Sequence, residues 1–195
     1  MSRENNSVKS KTPPVDISIR YIGKLAGTLL GICTVVALLL GVVNSITEPI
    51  ISRMQEEKTA AAMAQVLSAE NYEEMDVSFE NVAAMYRAVS GGEQVGYVVE
   101  VQSSGFGGAM SLVVGVDMDG KVTGVAVTDH GETKNIGTKV TDDASVLERF
   151  AGMSGTITVN AGENRFDGIS GATVTSKAVT AAVNTALGAV AAANQ

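Results

Sequence analysis

Residues 109–128 read AMSLVVGVDMDGKVTGVAVT, two valine-rich runs on either side of an Asp-Gly pair. Asp-Gly between two such runs is a strong signal for a β-hairpin, because both residues tolerate the positive φ angles of a tight turn. The stretch therefore predicts a hairpin of two antiparallel strands over residues 109–117 and 121–128.

Further strands are predicted on both sides of this hairpin. Residues 83–89 and 94–102 alternate, are rich in valine and tyrosine, and are separated by a Gly-Gly pair. They predict a second hairpin. Residues 157–159 predict another short strand.

A short helix is predicted over residues 141–151, TDDASVLERFA. Thr141 and Asp142 are both candidate N-caps, because their side-chain oxygens can accept from free helix amides. Leu147 and Phe150 are expected to face the interior.

Two longer helices complete the pattern. Residues 175–193 are rich in alanine and valine, and residues 51–69 contain neither glycine nor proline. Because proline fits the first turn of a helix, a new segment is expected to begin at Glu48-Pro49. Hairpins flanked by helices indicate an α+β domain.

Residues 25–46 contain no charged side chain. As a helix, 22 residues reach roughly 33 Å, enough to cross a hydrocarbon core of about 30 Å. The stretch, which includes Cys33, is interpreted as a retained transmembrane helix. A cleaved signal peptide is the alternative, although its apolar region would be shorter and would end at a small-residue cleavage site.

Charge is distributed unevenly around this span. Residues 1–24 carry a net charge of +3 and residues 47–195 a net charge of −10. By the positive-inside rule, 1–24 is predicted to be a cytoplasmic tail and the acidic part to lie outside the cytoplasm. The expected organisation is this tail, the transmembrane helix, a linking helix over 47–72 and a domain over 73–195.

The composition excludes several classes of function. The 195 residues include one cysteine and one histidine, and the net charge is −7. One cysteine cannot form an internal disulfide or hold an iron–sulfur cluster, and the usual structural zinc sites need more ligands. The acidic charge makes nucleic-acid binding unexpected. No metal site and no catalytic triad is predicted, so redox chemistry would need a borrowed cofactor.

The most informative motif is FDGISGATVTS, residues 166–176. A turn rich in glycine and hydroxyl side chains leads into the last predicted helix, where free amides and the helix dipole favour an anion such as phosphate. From the residues alone, a cluster that merely caps a surface helix remains the alternative.

This motif resembles the flavinylation motif of the FMN-binding domains in bacterial membrane electron-transport complexes. The resemblance implies FMN joined covalently through its phosphate to Thr173 by a separate flavin transferase, which requires Asp167; Thr175 is the second candidate for attachment. The cofactor-binding residues implied here are Asp167, Ser170, Gly171, Ala172, Thr173, Val174 and Thr175.

Two other stretches match the same family. His130-Gly131-Glu132-Thr133 resembles a His-x-Glu-Thr segment that lines the flavin pocket, which implies cofactor contacts for His130, Glu132 and Thr133. The usual Pro-Gly-Leu-Gly that follows is replaced by Lys-Asn-Ile-Gly. Phe106-Gly107-Gly108 is a weaker match. From the residues alone, the alternatives are that His130 is an exposed loop histidine and that residues 106–108 form an ordinary glycine loop.

Over most of its length the sequence resembles the G subunit of the Rnf ion-translocating complexes, which pass electrons between ferredoxin and NAD. The resemblance implies a single-pass protein of the bacterial inner membrane that relays electrons among other membrane subunits and is not an enzyme by itself. Three alternatives remain: a protein like the C subunit of the Na⁺-pumping NADH:quinone oxidoreductase, an anchored non-redox binding module, and a stand-alone extracytoplasmic flavoprotein reductase.

Overall fold

In the computed structural model, residues 19–194 are described. Most of the predicted cytoplasmic tail, residues 1–18, lies outside them. The chain divides into two units between Ile51 and Ser52. The described part of the first unit is a helical stretch with exposed apolar side chains, long and apolar enough to cross a membrane.

The first helix, α1, covers Ile19–Val66 and contains Pro49. The expectation that a new helix begins at Glu48-Pro49 is wrong. Proline removes one amide donor from the helix, and the good helix formers on both sides maintain the remaining hydrogen bonds. The linking segment also differs from a helix over 47–72, since α1 ends at Val66 and a strand begins at Asn71.

Five antiparallel strands form one sheet in sequential order. They are β1 (Asn71–Met75), β2 (Val82–Ser90), β3 (Glu93–Ser104), β4 (Ala109–Asp117) and β5 (Val122–His130). The last four correspond to the four strands of the two predicted hairpins. β1 was not predicted, because its sequence NYEEM lacks an apolar alternation; it pairs only with β2, at the edge of the sheet.

The other elements follow β5. They are α2 (Thr138–Thr141), α3 (Ala144–Leu147), a 3₁₀ turn (Glu148–Phe150), the parallel pair β6 (Thr158–Val159) and β7 (Arg165–Phe166), and α4 (Thr173–Ala193). The antiparallel sheet with flanking helices confirms the α+β class.

The predicted helix over 141–151 is divided into shorter pieces. Neither Thr141 nor Asp142 caps α3; Asp143 does, by accepting a hydrogen bond from the Ser145 amide. Leu147 and Phe150 are buried as predicted. The Phe150 ring stacks on Phe166 with centroids 4.2 Å apart.

The sheet is covered on both faces within the second unit. Because side chains alternate along a strand, Val99 and Val114 pack towards α4, whereas Val98 and Val113 pack against the C-terminal end of α1 around Met63. Helix α4 forms one wall of this core. Its first four residues, 173–176, are also the last four residues of the FDGISGATVTS motif.

The face towards α1 also holds an interacting pair of polar side chains, Tyr86 and Glu100. Burial raises the pKa of the Glu100 carboxyl. Burial and the neighbouring negative charge of Glu100 raise the pKa of Tyr86 to about 12. The Tyr86 hydroxyl therefore stays protonated at neutral pH and can donate to the carboxylate.

The end of α1 is seated on two glycines that face each other across β4 and β5. Gly115 pairs with Gly124, and the Val66 backbone lies against both. The Thr123 hydroxyl donates to the Val66 carbonyl at 2.6 Å. This contact satisfies one of the carbonyls left free at a helix C-terminus.

We expect Gly124→Val to destabilise the fold by about 1–3 kcal/mol, the usual cost of overpacking. A Cβ atom at residue 124 would already lie 3.0 Å from the Val66 Cα atom. The measurement is urea unfolding of the full chain in detergent. Ala109→Val, at an exposed position of β4, is the control and should change stability by less than about 0.5 kcal/mol; equal stability of the two variants would contradict the packing argument.

Candidate functional site

A cleft of about 350 Å³ lies at the N-terminus of α4. Three segments that are distant in sequence form its walls: the loop between β3 and β4, the segment after β5, and the start of α4. Its lining residues are Phe106, Glu132, Thr133, Ile136, Gly137, Gly171, Ala172, Thr173, Val174 and Thr175.

The rim of the cleft is apolar and open to solvent. Phe106 is 74% exposed, and Ile136 and Val174 are each 51% exposed. Large apolar side chains that converge on a concave surface with a few polar groups are typical of a site for a small molecule. The rim therefore suits the apolar part of a small ligand.

The start of α4 gives the cleft its anion-binding character. Gly171 adopts a φ of +82°, which turns the chain into the helix that begins at Thr173. No side chain caps this helix. Its first amides have no partner within the helix, and they lie at the positive end of the dipole. An anion at Thr173 would meet both.

Hydrogen bonds to Ile169 hold the turn before α4 in place. The Ser176 hydroxyl accepts a hydrogen bond from the Ile169 amide at 3.1 Å, and the Ala172 amide donates to the Ile169 carbonyl. Ser176 is fully buried. Its role here is to fix the loop in front of the helix.

The wall of the cleft contains a buried carboxylate, Glu132, which is only 9% exposed. Its Oε1 atom accepts from the Gly107 amide at 3.1 Å and its Oε2 atom accepts from the Thr175 hydroxyl at 2.8 Å. A Cβ atom on Gly105 or Gly137 would collide with these oxygens, so glycine is needed at both positions. Glu132 thereby joins the three walls of the cleft.

The only histidine supports Glu132 from behind. His130 Nε2 lies 2.8 Å from Asp142 Oδ1, and His130 Nδ1 accepts from the Glu132 amide at 3.3 Å. Both contacts are satisfied by the neutral tautomer with its proton on Nε2. Next to this pair, hydrogen bonds from Ser145 hold the pKa of the Asp143 carboxyl below its usual range.

The structure brings together most, but not all, of the residues proposed from the sequence. Glu132, Thr133 and residues 171–175 line the cleft. Asp167, Ser170 and His130 do not. Asp167 is exposed and forms an ion pair with Arg165 at 2.8 Å. Within residues 19–194, no cluster of three potential metal ligands is found.

Three lining residues were absent from the proposed set: Phe106, Ile136 and Gly137. Phe106 lies in one of the matching stretches, and an aromatic residue between glycines in a loop is a usable signal for an exposed ring. Ile136 and Gly137 keep the apolar residue and the glycine of the family's usual Pro-Gly-Leu-Gly, and this match was a usable signal for both positions.

The comparisons with known proteins agree on one family. The FMN-binding domain family matches residues 105–188. The G subunit of a Na⁺-translocating ferredoxin:NAD⁺ oxidoreductase complex from Acetobacterium woodii is 30% identical, over 87% of this chain and 92% of its own. The G subunit of an ion-translocating oxidoreductase complex from Cereibacter sphaeroides is 33% identical, over 84% and 82%.

A solved structure is also similar. The C subunit of the Na⁺-translocating NADH-quinone reductase from Parabacteroides distasonis is 25% identical, with a TM-score of 0.45, over 54% of this chain and 59% of its own.

We expect Thr175→Val to destabilise the protein by about 1.5–3 kcal/mol, because it leaves a buried carboxylate oxygen without a donor. Unfolding in urea measures this. The matched control is Thr180→Val in the same helix. The buried Thr180 hydroxyl donates to the Ser176 carbonyl, which the helix already satisfies, so its loss should cost less. Equal effects of the two variants would argue against a special role of the Glu132 contact.

Proposed function

The chain belongs to the family of G subunits of the ion-translocating oxidoreductase complexes, and from this premise we propose that it is a membrane-anchored electron-transfer protein with FMN covalently bound to Thr173. The linkage is a phosphoester to the threonine hydroxyl, made by a flavin transferase. The other membrane subunits of the complex are its partners.

The observation that carries this proposal is the contrast between the two threonines of the motif. Thr173 is exposed, is the first residue of α4 and lines the cleft. Thr175 is 1% exposed, and its hydroxyl donates to Glu132. Only Thr173 therefore offers an accessible hydroxyl at the helix N-terminus, which supports it over Thr175 as the point of attachment.

The residues around Thr173 fit a flavin phosphate and ring. The free amides of α4 would bind the remaining negative charge of a phosphodiester. The exposed side chains of Phe106, Ile136 and Val174 would cover the apolar part of the ring and exclude water from it. FMN bound there supplies the ability to take up and release electrons, for which the chain has no group of its own.

The loop before α4 suits recognition by a maturation enzyme. Asp167 and Ser170 are exposed and lie off the wall of the cleft. Their side chains would remain accessible while Thr173 is modified. This position supports the role of Asp167 in recognition by the transferase, as the resemblance implies.

The properties of the first unit support its insertion in a membrane. Apolar side chains such as Leu30, Leu38 and Leu39 are more than half exposed. Hydroxyls within the span donate to the carbonyl four residues earlier: Thr34 to Leu30, and Ser45 to Gly41, each at 2.8 Å. These polar side chains would therefore be satisfied in lipid, which offers no other partner.

The proposed location is the bacterial inner membrane, with one crossing. The net charge of +3 before the span and of −10 after it supports a cytoplasmic N-terminus and an extracytoplasmic domain. A covalent cofactor suits that side of the membrane, because a dissociated FMN there could not readily be replaced.

We expect Thr173→Val to abolish covalent flavin in protein co-produced with a flavin transferase, because valine has no hydroxyl to esterify. Intact mass and flavin absorbance of the denatured protein are the measurements. Thr185→Val, further along α4 and outside the cleft, is the matched control and should keep the flavin. Flavinylation of Thr173→Val would exclude this site, and a wild type without flavin would leave only the non-redox module.

The orientation can be tested with single cysteines in a Cys33→Ala background. In intact spheroplasts, a membrane-impermeant maleimide should label the Ala161→Cys variant, since residue 161 is exposed in the domain. The Ser10→Cys variant should react only after lysis. The reverse pattern of labelling would overturn the proposed topology.

A further inference from the structure

Glu132 presents an unusual electrostatic arrangement. It is a buried acid whose two oxygens each face a donor, the Gly107 amide and the Thr175 hydroxyl. A carboxylate accepts from both donors, whereas a protonated acid would turn its own hydrogen towards one of them. The two donors therefore match the two oxygens of a carboxylate, one donor to each oxygen.

Within residues 19–194, Glu132 takes part in none of the ion pairs Lys121–Asp119, His130–Asp142 and Arg165–Asp167. Removing a charge from water is costly unless hydrogen bonds or an opposite charge compensate it, and a buried carboxylate in a cleft is therefore a candidate functional group. The hydrogen bonds hold the charge in place but do not neutralise it.

We propose that Glu132 is a fixed negative charge that lowers the reduction potential of a flavin bound in the cleft. The inference rests on the proposed function. Glu132 and Thr173 both line the cleft at the N-terminus of α4. A ring that takes up an electron gains negative charge, and a nearby anion in a partly dry cleft opposes this gain more strongly than it would in water.

The rigidity of the carboxylate makes this effect constant. Gly105 and Gly137 lie so close to its oxygens that no side chain could be accommodated at either position. The His130 ring holds the Glu132 backbone amide from behind. The side chain cannot swing out into solvent, where its field would be screened.

The test is a spectroelectrochemical titration of the flavinylated full chain in detergent, comparing wild type with Glu132→Gln. Glutamine keeps the shape: its oxygen can accept from Gly107, and its amide can donate to the Thr175 oxygen. We expect the midpoint potential to rise by at least the equivalent of tenfold in the redox equilibrium, about 30 mV for a two-electron couple.

Two further variants separate the charge from a purely structural role. Glu132→Asp keeps the charge and should stay nearer to the wild-type potential than Glu132→Gln. Thr175→Val removes one donor from the carboxylate and leaves its charge less shielded, so the potential should fall. If Glu132→Gln does not take up flavin, Thr175→Val decides alone: a lower potential supports the inference, and an unchanged or higher potential overturns it.

The outcomes are distinct. Flavinylated Glu132→Gln with an unchanged or lower potential overturns the inference and leaves the proposed function standing. A rise of equal size in Thr175→Val also overturns it, because both variants would then act by loosening the cleft. A wild type without covalent flavin, seen by mass before any titration, overturns the proposed function and this inference with it.

Discussion

The carboxylate of Glu132 is the contact on which the geometry of the cleft depends. Its two oxygens accept from Gly107, 25 residues earlier, and from Thr175, 43 residues later. A glycine loop, the end of a sheet and the start of a helix are thereby joined at one point. Because the bonds run to separate oxygens, displacement of one wall would move the other two.

The sheet brings these segments to the same place. Because β4 and β5 are antiparallel, the loop that enters β4 and the segment that leaves β5 lie at the same end of the sheet. Met110 is paired with His130 there. Helix α4 packs its buried face on the same sheet, including Val179 and Val183. The core thus places the helix N-terminus beside these strand ends, where Glu132 joins it to the other two walls.

Much of this architecture follows from sequence, and the failures have physical causes. The hairpins could be predicted because alternating valines and Asp-Gly are local signals. Strand β1 could not, since NYEEM is defined by its pairing with β2. The threonine motif could be recognised locally. The bond from Thr175 to Glu132 spans 43 residues, and no spacing rule reveals it.

The open cleft and the exposed Phe106 have a consequence for how firmly a cofactor must be held. A ligand that binds only through contacts needs an enclosing pocket, and its occupancy follows its free concentration. If the flavin is tethered at Thr173 as proposed, its ring is always close to the rim of the cleft. The length of the covalent linkage then sets the effective concentration of the ring at this site. A shallow site would then suffice, and part of the bound cofactor would remain accessible to a neighbouring protein of the complex.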